Sequence, residues 1–451
     1  MILLKARSVI FCKFATKFHL RRTPRSESRL SRLINPVACT SRLITAAMAC
    51  LISASAFAQE AAPEPVTEET PLPDGQSATS AAMETGIIND PLVTALAEDP
   101  KPRWRFLIED SVGAMYDSNI FAEPHDEKDD FVISISPLLT YIYGDFRQSQ
   151  NSFLLVSYAP TARFFLDGST EDTLDHDALF EARIATGKFS TDLKLRFQAL
   201  SDSEVDVGTR TTRYVYSGTL GLHYDLTGQT SADLNFFFTA YDYETRFDSQ
   251  ESIVKGWLNY QITPKIMSGF GFGAGYLESD GSSSQTYEQA SVRAIYVPTS
   301  KIELRLEAGV EVRQLDTDDR VSPLWAVGAT YEPFDGAAIS LDFTRKVRAS
   351  AALAGRNYDA TALVLKFRQR LWQKYAFILK TGYTNADYYI TDFDEPSDRE
   401  DDYFFIRPSF EYSANKWLKV EVFYQFREND SNTERFGFAG HQVGFMASFS
   451  F

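Results

Sequence analysis

Beyond residue 58 this chain has no cysteine. All three, Cys12, Cys39 and Cys50, lie before it. A chain cut at that point holds no disulfide, no thiolate metal site and no cysteine nucleophile. Long apolar runs are also missing: nothing after residue 58 approaches the roughly 18 consecutive apolar residues that a spanning helix needs. Histidine is scarce. Only His125, His176, His223 and His441 follow residue 58, and none has an H-x-x-x-H spacing. No metal site and no cofactor are expected. Residues 59–100 contain no Lys or Arg at all.

What is present at the start is basic and then apolar. Residues 1–42 carry Lys5, Arg7, Arg21, Arg22 and six further cations, and an apolar run follows from Leu43 to Phe57. Ala56-Phe57-Ala58 before Gln59 is an A-x-A-like cleavage site. The pattern predicts a secretory signal peptide over 1–58. A lipidated Cys50 is the alternative. Removing 10 of the 45 basic and 1 of the 61 acidic residues leaves 35 against 60, a net charge of −25. Phosphate binding needs basic surface, so nucleic acid is excluded as a partner. Residues 59–102 hold nine acids among Ala, Pro and Thr. Low hydrophobicity with charge of one sign predicts a disordered periplasmic linker.

From 103 to 451 the chain reads as alternating strands. In a strand, successive side chains point to opposite faces. Ile302, Leu304, Leu306, Ala308, Val310 and Val312 alternate with Glu303, Arg305, Glu307, Gly309, Glu311 and Arg313. Residues 192–199 and 416–427 repeat the pattern. We count eighteen such segments, the first from about Arg103 and the last from about Phe438. Tight connections such as Pro264-Lys265 and Trp372-Gln373 alternate with longer acidic ones such as 122–129 and 391–401. Short periplasmic turns and long outer loops belong to a bacterial barrel. The expected fold is all-β: a transmembrane antiparallel up-and-down β-barrel of about 18 strands, in the Gram-negative outer membrane, with both termini periplasmic. The last strand ends Ala447-Ser-Phe449-Ser-Phe451. A bare edge of this kind would pair with any neighbour, and closure onto the first strand removes it. Phe449 and Phe451 are read as the signal to the barrel-assembly machinery.

Met115-Tyr-Asp-Ser-Asn-Ile-Phe121, with Glu127-Lys-Asp-Asp-Phe131 and Ile135-Ser-Pro137, resembles the opening of the beta-barrel porin 2 family. The resemblance implies an outer-membrane barrel. It also implies kinship with proteins some of which are similar to exopolysaccharide-secretion components, and it carries no catalytic residue. Asp117-Ser-Asn119 reads as a turn closing the first strand. Pro137, inside the second strand, should mark a bulge or a missing ladder bond.

No enzyme is expected. Asp175-His176-Asp177 is the one candidate constellation, and adjacent strand residues point to opposite faces. His125 and His176 read as outer-loop residues. Parity places Lys194, Arg196, Lys301, Glu303, Arg305, Glu307, Glu311, Arg313, Asp342, Lys366, Arg368, Arg370, Lys419, Glu421 and Arg427 on the interior face. Gly269, Gly271, Gly273 and Gly275 put bare backbone there, either for solute or for a neighbouring side chain. Eighteen strands enclose more space than side chains fill. The first functional reading is a porin-like passive diffusion channel for small hydrophilic solutes. The alternatives are the outer-membrane component of exopolysaccharide export, meeting periplasmic export proteins, or a structural barrel with a blocked lumen. Outer-membrane lipid and lipopolysaccharide are the expected surroundings.

Overall fold

The computed structural model describes residues 104–144, 152–316, 318–392 and 398–451. The signal peptide (1–58) and the linker (59–102) expected above lie outside the described residues. The strands, in chain order, are β1 (Trp104–Asp117), β2 (Asp130–Gly144), β3 (Phe153–Tyr158), β4 (Thr161–Phe165), β5 (Thr173–Thr186), β6 (Phe189–Glu204) and β7 (Thr209–Asp225). They continue with β8 (Thr230–Tyr243), β9 (Ser249–Thr263), β10 (Ile266–Ser279), β11 (Gln285–Thr299), β12 (Ile302–Gln314) and β13 (Arg320–Tyr331). The last are β14 (Ala337–Ala349), β15 (Arg356–Leu371), β16 (Tyr375–Ile390), β17 (Glu400–Ser413), β18 (Leu418–Ser431) and β19 (Phe438–Ser450).

All belong to one antiparallel sheet, and β1 pairs with β19, so the sheet is closed. Val112 faces Ala447, Ala114 faces Phe445 and Tyr116 faces Val443 across the seam. The Phe451 N–H adds a bond to the Ile108 carbonyl at 2.9 Å. Closure pairs every edge, which is what lets strands cross lipid. Turns at the end bearing the termini are tight: Gly187-Lys188 joins β5 to β6, with Gly187 at φ 57°. A left-handed backbone suits glycine because it has no Cβ to clash.

β3 and β4 are two pieces of one stave, so the wall has eighteen staves. Both pair with β2 and with β5 on a single register. Leu139 faces Tyr158 and Ile135 faces Ala162, which sets Pro137 opposite Pro160. Neither proline has an N–H to donate, so the ladder fails there and the stave breaks. Ser136 Oγ donates to Thr161 Oγ1 at 3.1 Å just beside the gap. The missing ladder bond expected at Pro137 is therefore real, and the bulge alternative is not used: β1 and β2 stay in register through it.

The outward face is apolar. Trp104, Phe106, Ile108 and Val112 on β1, Leu304, Leu306 and Val310 on β12, and Val443 and Phe445 on β19 are all exposed. Water would not tolerate so continuous a belt; acyl chains do. The chain is a transmembrane β-barrel of the outer-membrane kind. One outward residue breaks the belt. Asp110 stands between Pro137 and Phe449, and its Oδ1 is buried with no hydrogen-bond partner among the described residues.

Candidate channel interior

Residues opposite each other in the ladder point the same way, so register fixes the interior face. Lys194 pairs there with Glu181 at 3.0 Å, and Arg196 grips Asp177 through Nε at 2.9 Å and Nη2 at 2.5 Å. Glu303 and Arg305 lie 3.4 Å apart, and Glu311 and Arg313 lie 2.8 Å apart. Glu307 takes an ion pair from Lys255 of β9. Arg368 reaches Glu411, two strands on, at 2.8 Å. Arg427 binds Asp117 across the closure seam at 3.1 Å. Asp342 faces inward at Gly328, beside Arg305. Lys419 faces inward opposite Ser448. Arg370 lies at the exposed turn end of β15.

Two assignments are corrected. Lys301 is not on the interior face: β12 begins at Ile302, and Lys301 sits in the preceding turn with Nζ donating to the Pro333 carbonyl at 3.0 Å. His176 is also not a loop residue. It lies on β5, faces outward and stacks on Tyr158, whose hydroxyl is 2.8 Å from Nδ1. Asp175 and Asp177 face the other way, to Arg163 and Arg196. Phe449 points to lipid and stacks on Trp417 at 6.3 Å; the Phe451 ring is exposed.

The glycines of β10 resolve in favour of packing. A Cβ on Gly271 would sit 2.6 Å from the Trp257 ring, and one on Gly275 would overlap Tyr287. Trp257 itself faces inward and is held between Lys255 and Arg293, at 5.0 and 4.3 Å from its ring centroid. A cation over an aromatic face gains about 0.5–2 kcal/mol. Arg293 continues to Asp233 and to Asn259, so one wall of the interior is a connected polar sheet.

A second wall is different. Lys366, Lys380 and Arg407 are direct register partners on β15, β16 and β17, all facing inward. Glu421 meets Arg407 at 3.5 Å.

The outer mouth is spanned. The β6–β7 loop, Val205-Asp206-Val207-Gly208, reaches across to strands on the far side. Asp206 accepts Ser350 Oγ at 2.8 Å, the Ala351 N–H at 2.6 Å and the Tyr388 hydroxyl at 2.8 Å. Arg399 approaches its carboxylate at 3.6 Å and donates to its carbonyl at 2.9 Å. Arg399 is fully buried. It is packed between Phe436 and Tyr388, at 3.4 and 4.3 Å from their ring centroids, and is ion-paired to Asp401. Burial alone would lower the pKa of its guanidinium, but Tyr388, Asp401 and Asp206 outweigh that and raise it.

The outer ends of β14–β16 leave the wall to meet this loop. β13 and β14 pair only over Trp325–Tyr331 and Ile339–Arg345. Beyond that, side chains of outward parity lie against the inner face of β11–β13. Asn357 donates to Gln285 at 2.7 Å, Asp359 accepts from Arg320 at 3.0 Å, and Arg320 lies 3.7 Å over the Tyr389 ring. The opposite face presents Tyr358 and Tyr388 to the β6–β7 loop.

Asp206, Arg399, Arg293, Lys380 and Arg407 are not singled out by the sequence; Trp257 reads there as an interfacial aromatic, and the structure turns it inward instead. Parity signalled Trp257, which shares a face with Lys255 and Asn259. Nothing local signals Asp206.

No family model and no curated protein matches the chain. Similar solved structures include Pseudomonas aeruginosa OccK11 (OpdR), at 12% identity over 77% of this chain and 95% of that one, with a TM-score of 0.39. Pseudomonas aeruginosa OpdO gives 10% identity, 77% and 97% coverage, and 0.42. Acinetobacter baumannii OccAB4 gives 12%, 78% and 100%, and 0.42. At these values the likeness adds nothing to what the barrel's own geometry shows.

Proposed function

We propose that the protein is a porin-like passive diffusion channel for small hydrophilic solutes. The observation that carries this reading is the row Lys366, Lys380 and Arg407 on one level of the inner wall. Like charges directly opposed on a sheet repel. The row leaves a local excess of positive charge on the inner wall, although Arg407 is buried over the Phe423 ring and paired with Glu421. Eighteen staves also enclose more space than side chains fill. The spanned outer mouth then limits the rate, and the cation row favours anions over cations in transit. Planar-bilayer conductance of refolded protein is the test. Current steps support the reading, and a silent membrane at every voltage removes it.

Membership of the beta-barrel porin 2 family is part of this proposal and rests on residues 115–137. So are contacts of the apolar belt with lipid and lipopolysaccharide, and of the last strand with the assembly machinery. Polysaccharide export would draw on residues 59–102, which lie outside the described residues.

A further inference from the structure

The wall is not laddered along its full height between β13 and β14. These strands share seven register pairs, whereas β12 and β13 share twelve and β14 and β15 share thirteen. Above Trp325, no strand among the described residues pairs with Arg320–Leu324 on the β14 side. The break begins within the apolar belt, since Pro323 stands opposite the exposed Val310. Backbone direction suits an open edge. The Glu332 N–H donates to the Lys301 carbonyl, on the β12 side, at 2.8 Å. Neighbouring residues of a strand turn their N–H groups to opposite sides. The nitrogens of Val321, Pro323 and Trp325 therefore face β14, and Pro323 has no N–H to leave unpaired there.

An open sheet edge at membrane depth has to be covered by protein or to line a cavity. Here it is covered by overlap instead of pairing. The outer ends of β15 and β16 pass behind β13 as a flap. Asp359, 2% exposed, accepts from Arg320 at 3.0 Å and Ser322 at 3.5 Å, both on the inner side of β13. It also accepts from Arg345 of β14 at 2.9 Å. Asn357 adds its bond to Gln285 of β11. These contacts are between side chains, so the flap can withdraw without a ladder being broken. The outer lips of the joint are apolar. Val321 is 65% exposed, Pro323 is exposed, and Trp325 packs on Phe343 with ring centroids 5.6 Å apart. The same flap carries Tyr388, which holds the loop across the outer mouth. The lateral joint and the spanned axial exit are thus built from one element.

We propose that the β13–β14 joint is a lateral port between the barrel interior and the outer leaflet, for an apolar, lipid-soluble solute. Apolar lips that open on acyl chains favour a solute whose body leaves water. A hydrophilic solute gains nothing from that path. The port goes beyond the channel reading and does not depend on it.

The probe is N-phenylnaphthylamine, a neutral dye that fluoresces on reaching lipid. Its entry is followed in cells carrying the full-length barrel in the outer membrane and in cells without it. Faster entry is expected with the protein. All native cysteines precede residue 58, so an Arg320→Cys, Asp359→Cys pair can be cross-linked cleanly with a short bifunctional methanethiosulfonate. Cross-linking should return dye entry to the rate of cells without the protein, and a reductant should restore it. Heat-modifiability on gels shows that the pair is folded. Should it fail to fold, Gln285→Cys with Asn357→Cys bridges the same joint. Dye entry that is equal with and without the protein, or unchanged by cross-linking, overturns the proposal. So does an equal loss of KCl conductance in the cross-linked pair, which would put the dye's path on the barrel axis. A wild-type bilayer silent in KCl, with dye entry still sensitive to the cross-link, removes the channel reading and leaves the port.

Discussion

Asp206 accepts the Tyr388 hydroxyl at 2.8 Å although the two residues are 182 positions apart in the chain. The bond ties the β6–β7 loop to the folded-in end of β16 and spans the outer mouth of the barrel. Replacing Asp206 with Ala removes the carboxylate's five partners at once, Ser350, Ala351, Ala352, Tyr388 and Arg399, and leaves Arg399 with one carboxylate fewer. Breaking a buried ion pair costs about 3 kcal/mol or more. Asp206→Ala should raise single-channel conductance and flicker, with the barrel itself still heat-modifiable. Unchanged conductance would show that the span does not limit flow.

Charge reversal on the inner wall should change selectivity before it changes stability. Lys380→Glu places an acid between Lys366 and Arg407. The anion-to-cation permeability ratio, read as a reversal potential across a KCl gradient, should fall. A ratio that stays at the wild-type value places the conduction path elsewhere.

Asp110 invites the opposite kind of change. Its carboxyl faces the apolar belt between Pro137 and Phe449. Asp110→Leu should stabilise the barrel by roughly 1–2 kcal/mol in urea unfolding from lipid vesicles, as expected for removing an acid from a lipid face. A destabilised Asp110→Leu would mean that the carboxylate meets a partner in the membrane.

The glycine ribbon of β10 sets a steric limit. Gly271→Val collides with Trp257. Overpacking typically costs about 1–3 kcal/mol. Pairing it with Trp257→Ala should recover most of the loss, measured as the urea midpoint. No recovery would mean the strand needs glycine for its backbone.

Deleting Phe451 removes the ladder bond to Ile108 and the last outward ring. The exported variant should be degraded in the periplasm, with little heat-modifiable protein in the outer membrane. Wild-type amounts of assembled variant would show that the chain end carries no assembly signal.

Most of the wall was legible because lipid on one side and a polar interior on the other impose a strict period of two. Lys301 was misplaced because parity does not say where a strand begins. The broken third stave needed register: Pro137 and Pro160 are each tolerable alone, and only pairing sets them opposite. The folded-in ends of β14–β16 did leave a trace. Asn357, Asp359 and Thr361 share parity with Leu363, Leu365 and Phe367, so polar side chains occupy a face that should meet lipid. The explanation lies in β11–β13, which no local pattern names. The Asp206 latch is invisible for the same reason, since its partners come from three distant segments.

The most direct test of the account is the open-channel record of wild-type protein refolded into a planar bilayer in KCl. Discrete current steps, with anions carrying more of the current than cations, are predicted. A membrane that stays silent at all voltages, with correctly folded barrel shown by heat-modifiability, would contradict it.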